Sequence, residues 1–288
     1  MGAEVGRQEA EWVAQSHDLA WLQEQERLAD RPARLYGALD AAKVHVRGGK
    51  GATEHPWRDL KIGAWFTTTA QPPTSPDEDW QIAATDITYY CDMQPAQEFG
   101  TLLWATGCQQ QAHLAQELIF LADGAEWIWN LVSEHYPEAV QIVDWFHATE
   151  YMAPVANALF ADEPQRQAWI QSRRDDLWQG DLEAVIAAFE PFTEHAKAGE
   201  AARKAFTYFT NNQHRMDYPT YRAQGYQIGS GTIESGCKQI VSQRLKVAGA
   251  IWQPDNAILT AKARAALLSG QWDLISSRRE FSALPLAA

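Results

Sequence analysis

The sequence has few cysteines and no long apolar run. Its 288 residues include 3 cysteines, at Cys91, Cys108 and Cys237. They form no C-x-x-C pair, which argues against a disulfide framework and against a cysteine-rich zinc site. No stretch is apolar enough to span a bilayer, and residues 1–15 lack the basic start and apolar core of a secretory signal. We therefore expect buried, unreactive thiols and a cytoplasmic protein with no membrane partner.

Basic residues are also in deficit. Lys and Arg number 24 against 37 Asp and Glu, which gives a formal net charge of -13. Affinity for duplex DNA comes largely from basic side chains that neutralise phosphates, so this balance argues against autonomous DNA binding. It does not exclude metal-dependent nuclease chemistry, because such a site must itself be acidic.

Hydrophobic periodicity predicts an α/β fold in the order β-β-β-α-β-α-β. The first three strands should form an antiparallel meander, and the alternation that follows predicts later strands that are parallel and covered by helices. We predict strands at 34–47, 58–69, 82–90, 117–122 and 139–144, and helices at 95–107 and 125–135.

The remaining segments are predicted to be helical. An amphipathic helix at 9–30 precedes the sheet, a helical insertion follows it over about 145–222, and further helices are predicted at 232–248 and 255–269. The predicted division is an N-terminal helical segment 1–33, a core 34–145, a helical insertion 146–225, C-terminal helices 226–273 that complete the core, and a tail 274–288.

Asp123 follows an apolar strand and precedes Gly124 and a helix. Open α/β sheets place functional groups at this end of their strands, although an aspartate here can also simply cap the helix. Asp40 lies inside the first predicted strand, where a carboxylate is disfavoured. It either marks a turn between strands or faces a polar site.

Glu234 is predicted to open a helix after the glycine turn 229–231. The helix dipole favours a carboxylate there, so a solvated first-turn acid is the simplest interpretation. Lys238, Arg244 and Lys246 follow on the same predicted helix and could face DNA phosphates. Together, Asp40, Asp123 and Glu234 could hold two Mg²⁺ or Mn²⁺ ions for in-line phosphoryl transfer.

Two further signals allow more than one interpretation. Asp144 and His147 form a D-x-x-H that could ligate a metal, although a structural histidine is the more common outcome. Most tryptophans have helix-like spacing and should be core, while Trp169 or Trp178 could stack on an unpaired base.

Two long runs, 121–151 and 221–252, together with the tail 263–273, resemble the ISKra-type insertion-sequence transposases, which are relatives of the Mutator-like transposases. The resemblance spans about Tyr36 to Asp273. It implies an RNase H-like fold, a DDE triad at Asp40, Asp123 and Glu234, a helical insertion, and catalysis by divalent metal. Asp144 and His147 match a C/D-x-x-H motif with a supporting role.

The resemblance also implies partners and a location. Such proteins act on transposon ends and target DNA as homodimers or larger synaptic complexes, so the protein would be nucleoid-associated when on DNA. Two departures weaken it. Ala41 follows Asp40 where the family usually has glycine, and only 1–33 precedes the core where the family usually has a DNA-binding region.

These departures leave alternatives open. A truncated, inactive remnant could keep the fold as a DNA-associated or self-associating protein. A hydrolase that uses two carboxylates on a non-nucleic substrate would explain Asp123 and Glu234, but not the nearby basic residues.

Overall fold

The computed structural model describes residues 1–28, 31–48, 56–74 and 80–277. Parts of two predicted linkers, at 49–55 and 75–79, lie outside the described residues. The same is true of 278–288, which is most of the predicted tail 274–288.

Five strands form one mixed sheet in the order β3-β2-β1-β4-β5. β1 and β2 pair antiparallel, with Tyr36 opposite Phe66, whereas β4 and β5 pair parallel, with Ala122 opposite Val143. The predicted α/β class and mixed sheet are therefore confirmed. The strands are β1 (Arg34–His45), β2 (Trp57–Gln71), β3 (Gln81–Asp92), β4 (Glu117–Ala122) and β5 (Val140–Val143).

The helices complete the predicted order, and every described element between β5 and the end of the chain is helical. Among the described helices, none is both long enough and apolar enough to cross a membrane. The helices are α1 (Gly2–Ser16), α2 (Leu19–Leu28), α3 (Ala96–Gln109), α4 (Glu126–His135), α5 (Trp145–Glu150), α6 (Met152–Leu159), α7 (Glu163–Gln179), α8 (Leu182–Phe189), α9 (Gly199–Asn212), α10 (Tyr218–Ala223), α11 (Gly231–Cys237), α12 (Pro254–Leu268) and α13 (Trp272–Ser277).

The single helix predicted at 9–30 is wrong, because the chain forms α1 and α2 there. The Asp18 carboxylate accepts hydrogen bonds from the backbone N–H of Ala20 (2.9 Å) and Trp21 (3.3 Å). An aspartate in this position satisfies the free N–H groups of a new first turn. Asp18 therefore starts a second helix inside a continuous amphipathic pattern.

The helix predicted at 232–248 is also shorter than expected. α11 ends at Cys237 and continues only as one π-helical turn, Lys238–Ser242. The backbone N–H groups of Arg244, Leu245 and Lys246 then all donate to the carbonyl oxygen of Val241. Because one carbonyl takes three donors, the regular hydrogen-bond ladder stops there.

The chain divides into two compact units. Unit 1 contains 1–67, 85–118 and 232–288, and unit 2 contains 68–84 and 119–231. In unit 1 the rings of Tyr36 and Phe66 stack with centroids 5.1 Å apart. In unit 2 the rings of Phe189 and Phe209 stack at 5.5 Å. All four side chains are buried, and burial of each contributes about 1.5–3 kcal/mol.

α11 packs closely against β3 within unit 1. The Tyr89 hydroxyl donates to the carbonyl oxygen of Thr232 at 3.0 Å. A Cβ atom added to Gly236 would lie only 2.4 Å from Cε1 of Tyr89. The absence of a side chain at position 236 is what allows the helix to approach the strand this closely.

Gly236→Ala is therefore expected to lower the free energy of unfolding by about 1–3 kcal/mol, the usual cost of overpacking. Gly231→Ala is the matched control, because it lies on the same helix and its added Cβ would have no atom within 4 Å. The control should change stability by less than about 1 kcal/mol. Urea unfolding measures both, and equal stability of the two variants would contradict this packing.

Candidate functional site

Asp123 lies directly after β4 and is half-buried. Its Oδ1 accepts a hydrogen bond from the N–H of Ala125 at 2.9 Å, immediately before α4. The next residue, Gly124, has no room for a side chain, since a Cβ there would lie 2.1 Å from Cε2 of Tyr208 on α9. The carboxylate thus helps to begin the helix, and α9 closes over the turn beside it.

Asp144 follows β5, the strand paired with β4, and is fully buried. Oδ1 accepts from the N–H of His147 at 2.5 Å, which caps α5, and Oδ2 accepts from the N–H of Ser230. Burial of a carboxylate is costly unless such donors satisfy it. Asp144 therefore ties the glycine turn at 229–231 to the start of α5.

Two stacked tyrosines border these acids in unit 2. The rings of Tyr151 and Tyr208 lie 3.9 Å apart between centroids. Burial raises the pKa of both hydroxyls, and the negative charge of Asp123 raises both further. Asp144 adds to the rise at Tyr208. Both tyrosines therefore remain protonated, and Asp123 and Asp144 lie close enough to Tyr208 to influence its proton.

His147 points toward an acid on its own helix. Its Nδ1 lies 3.6 Å from Oε2 of Glu150, and its side chain is 42% exposed. Together with Tyr151 and Lys204, these side chains line a cavity of about 480 Å³. The ring of His147 is therefore accessible, while its backbone N–H is held by Asp144.

Asp40 lies in the middle of β1, opposite Ile62 of β2, so of its two predicted alternatives the turn between strands is wrong. Its Oδ2 accepts a hydrogen bond from Sγ of Cys237 at 3.0 Å. Burial raises the pKa of the Cys237 thiol, and the charge and hydrogen bond of Asp40 raise it further. The thiol therefore remains a donor and holds the Asp40 carboxylate against α11 within unit 1.

Glu234 lies in the first turn of α11, as predicted, and is exposed. It precedes Cys237 by three residues, so the two side chains share a helix face. The predicted DNA-binding residues Lys238, Arg244 and Lys246 are exposed as well, but only Lys238 continues directly from α11.

No family model matches the chain, and no curated protein matches it. Neither unit alone contains all three predicted triad residues, since Asp40 and Glu234 belong to unit 1 and Asp123 to unit 2.

The described residues do not offer a ready metal centre. Across 1–28, 31–48, 56–74 and 80–277, no group of three or more His, Cys, Asp or Glu side chains is placed to hold a metal ion. Asp144 gives both oxygens to backbone amides, and Asp40 accepts from a thiol. A two-ion centre at Asp40, Asp123 and Glu234 stays a prediction.

Trp169 and Trp178 lie among other aromatic rings of unit 2. Trp169 meets Phe189 edge to face at 5.7 Å. Trp178 meets Trp145 in the same way at 4.9 Å, and the Arg222 guanidinium lies 3.5 Å from its ring centroid. Contact of either indole with an unpaired base stays a prediction.

Three residues of these sites, Cys237, Tyr151 and Tyr208, were not among the predicted site residues. Cys237 was expected to be an unreactive thiol, because no sequence feature near it indicates that Asp40 is its hydrogen-bond partner. Tyr208 could have been found from α9 itself, where polar and charged residues recur every three or four positions. Such a stripe forms one polar face of a helix.

Proposed function

We propose that the chain is the catalytic domain of a DNA transposase of the DDE class, with an RNase H-like fold. Its reaction would be cleavage of phosphodiester bonds and joining of a 3′-hydroxyl to target DNA. The observation that carries the proposal is the position of two acids in the sheet. Asp40 lies on β1 and Asp123 directly follows β4, in a sheet of order β3-β2-β1-β4-β5.

The proposal gives each acid the same chemical role. Asp40, Asp123 and Glu234 would supply carboxylate oxygens, the ligands that Mg²⁺ and Mn²⁺ prefer. When bound, such ions supply Lewis acidity to phosphoryl transfer. Asp144 and His147 would support the site, since Asp144 holds Ser230 shortly before α11.

The remaining parts of the proposal concern partners and location. Transposon ends and target DNA would be the substrates, and Lys238, Arg244 and Lys246 would contact phosphates. The protein would act as a homodimer or a larger synaptic complex, in the cytoplasm and on the nucleoid.

Calorimetric titration of Mn²⁺ into the protein tests the proposed cofactor. We expect saturable binding, and we expect Glu234→Gln to weaken it by at least about tenfold, the loss seen even for residues that only orient a ligand. Glu194→Gln is the control, because that side chain is 91% exposed. Equal binding by wild type and Glu234→Gln would contradict the assignment of Glu234.

A second candidate is a non-catalytic remnant that associates with DNA or with itself. It is favoured by the lack of a metal-holding group among the described residues and by the net charge of -13. A folded protein that binds no Mn²⁺, with or without duplex DNA, would favour the remnant over the transposase.

A further inference from the structure

A groove of about 700 Å³ runs along α9 in unit 2. Its lining also includes Gly124, next to Asp123, and Arg215, just after α9. We call it the α9 groove and define it by six of its lining residues, Trp129, Arg203, Lys204, Tyr208, Asn211 and Arg215.

Positive charge is concentrated in the α9 groove, although the chain is acidic overall. Arg203, Lys204 and Arg215 line it, against Glu126 as the acid of the lining. Arg203 and Lys204 are exposed and contact the exposed carboxylates of Glu194 and Glu200, respectively. Exposed ion pairs of this kind are weak, so these cations can exchange their partners for a multivalent anion.

Buried donors without an acceptor also line the groove. Trp129 is 3% exposed and Tyr208 is 9% exposed. Within the described part of the chain, neither Nε1 of Trp129 nor the Tyr208 hydroxyl has a hydrogen-bond partner. An indole N–H can only donate, and the raised pKa of Tyr208 keeps its hydroxyl protonated. Both groups are therefore donors that lack a hydrogen-bond acceptor.

Three contacts hold the side chain of Arg215, which lines the groove. Its guanidinium lies 4.7 Å from the centroid of the Trp129 ring, and its Nε donates to Oε1 of Gln141 at 2.7 Å. Its NH1 also contacts Oδ1 of Asn212 at 3.3 Å. A guanidinium fixed in this way presents a planar fork of donors suited to phosphate oxygens.

We propose that the α9 groove binds the phosphodiester backbone of DNA. Cations and donor groups without acceptors select a ligand that is anionic and rich in acceptors, and a line of phosphates suits a groove that follows the length of a helix. The proposal rests on the proposed function, since Gly124, the residue after Asp123, lines the groove, and bound DNA would lie near that carboxylate.

Fluorescence anisotropy of a labelled duplex oligonucleotide, without metal, tests the proposal. The double variant Arg203→Gln/Lys204→Gln should bind about tenfold more weakly, and its salt dependence should fall by about 2 in slope. Arg7→Gln/Lys43→Gln is the matched control, because it removes the same charge from exposed, ion-paired cations in unit 1. The control should bind DNA within about twofold of wild type.

Tyr208→Phe separates a binding role from a structural one. The hydroxyl has no partner within the described residues, so its removal should leave the midpoint of urea unfolding unchanged or raised. DNA affinity should nevertheless fall at least about tenfold, as expected for the loss of one donor to a charged acceptor.

Equal losses in the two double variants would overturn the proposal, as would a wild-type protein that binds inorganic phosphate but no DNA. Failure of the groove proposal can be distinguished from failure of the catalytic proposal. If DNA binding depends on Arg203 and Lys204 but no Mn²⁺-dependent cleavage occurs, the proposed transposase activity is contradicted and DNA binding by the α9 groove is supported.

Discussion

Lys262→Met is expected to lower the free energy of unfolding by about 3–5 kcal/mol, the usual cost of removing one partner from a buried ion pair. Lys262 on α12 is 6% exposed. Its Nζ contacts Oε2 of Glu9 on α1 and lies 2.9 Å from Oδ2 of Asp92 at the end of β3. Methionine would leave the buried Glu9 carboxylate and the partly buried Asp92 carboxylate without their cation.

The pH dependence follows from the direction of the pKa shift. Burial by itself would lower the pKa of Lys262, but the negative charges of Glu9 and Asp92 raise it above the usual value. A group whose pKa is raised in the folded state contributes its full stabilisation below its unfolded-state pKa, which is about 10.4 for lysine. This contribution is lost as the pH rises through the folded-state pKa. On the alkaline side, the difference in free energy of unfolding between wild type and Lys262→Met should therefore shrink only above about pH 10.4.

Glu9→Gln is the matched control at the same cluster. Burial raises the pKa of Glu9, and the charge of Lys262 only partly opposes this. The neutral amide removes a desolvated charge, and Lys262 still has Asp92 as its ion-pair partner. We therefore expect the free energy of unfolding to fall by no more than about 1.5 kcal/mol. Urea unfolding at pH 7 measures both variants. Equal losses, or a loss below about 1 kcal/mol for Lys262→Met, would contradict a buried cluster.

Asp123→Asn is expected to reduce Mn²⁺-dependent DNA cleavage by a factor on the order of 100 to 1,000, as for the loss of one electrostatic group in an active site. The amide oxygen of asparagine can still accept the N–H of Ala125, the hydrogen bond that the carboxylate makes. The variant should therefore fold normally, and the loss should be specific to the reaction.

Asp181→Asn is the control for Asp123→Asn. Asp181 caps α8 in the same unit by accepting the N–H of Ala184 at 3.0 Å. Asparagine caps helices about as well as aspartate, so cleavage and stability should both stay near wild type. Cleavage by Asp123→Asn at the wild-type rate would remove Asp123 from the proposed triad and leave it as a helix-starting residue.

Local patterns were sufficient wherever a residue's role depends on its own segment. Alternation and helical periodicity predicted the element order through β5, because each segment buries one face against the core. They also placed Asp123 at the end of a strand and Glu234 in a first helical turn. They failed at Asp18, where a capping side chain competes with a periodicity that continues past it.

The sequence by itself determined the α/β class, the order of the strands along the chain and the position of Asp123 directly after β4. Only the tertiary structure decided which groups meet: Cys237 with Asp40, Tyr208 with Gly124, and Lys262 with Glu9. These pairs are far apart in the chain, and their energies depend on burial and on distances of a few ångströms. Periodicity records which face of a segment is buried, but not which distant side chain lies against it.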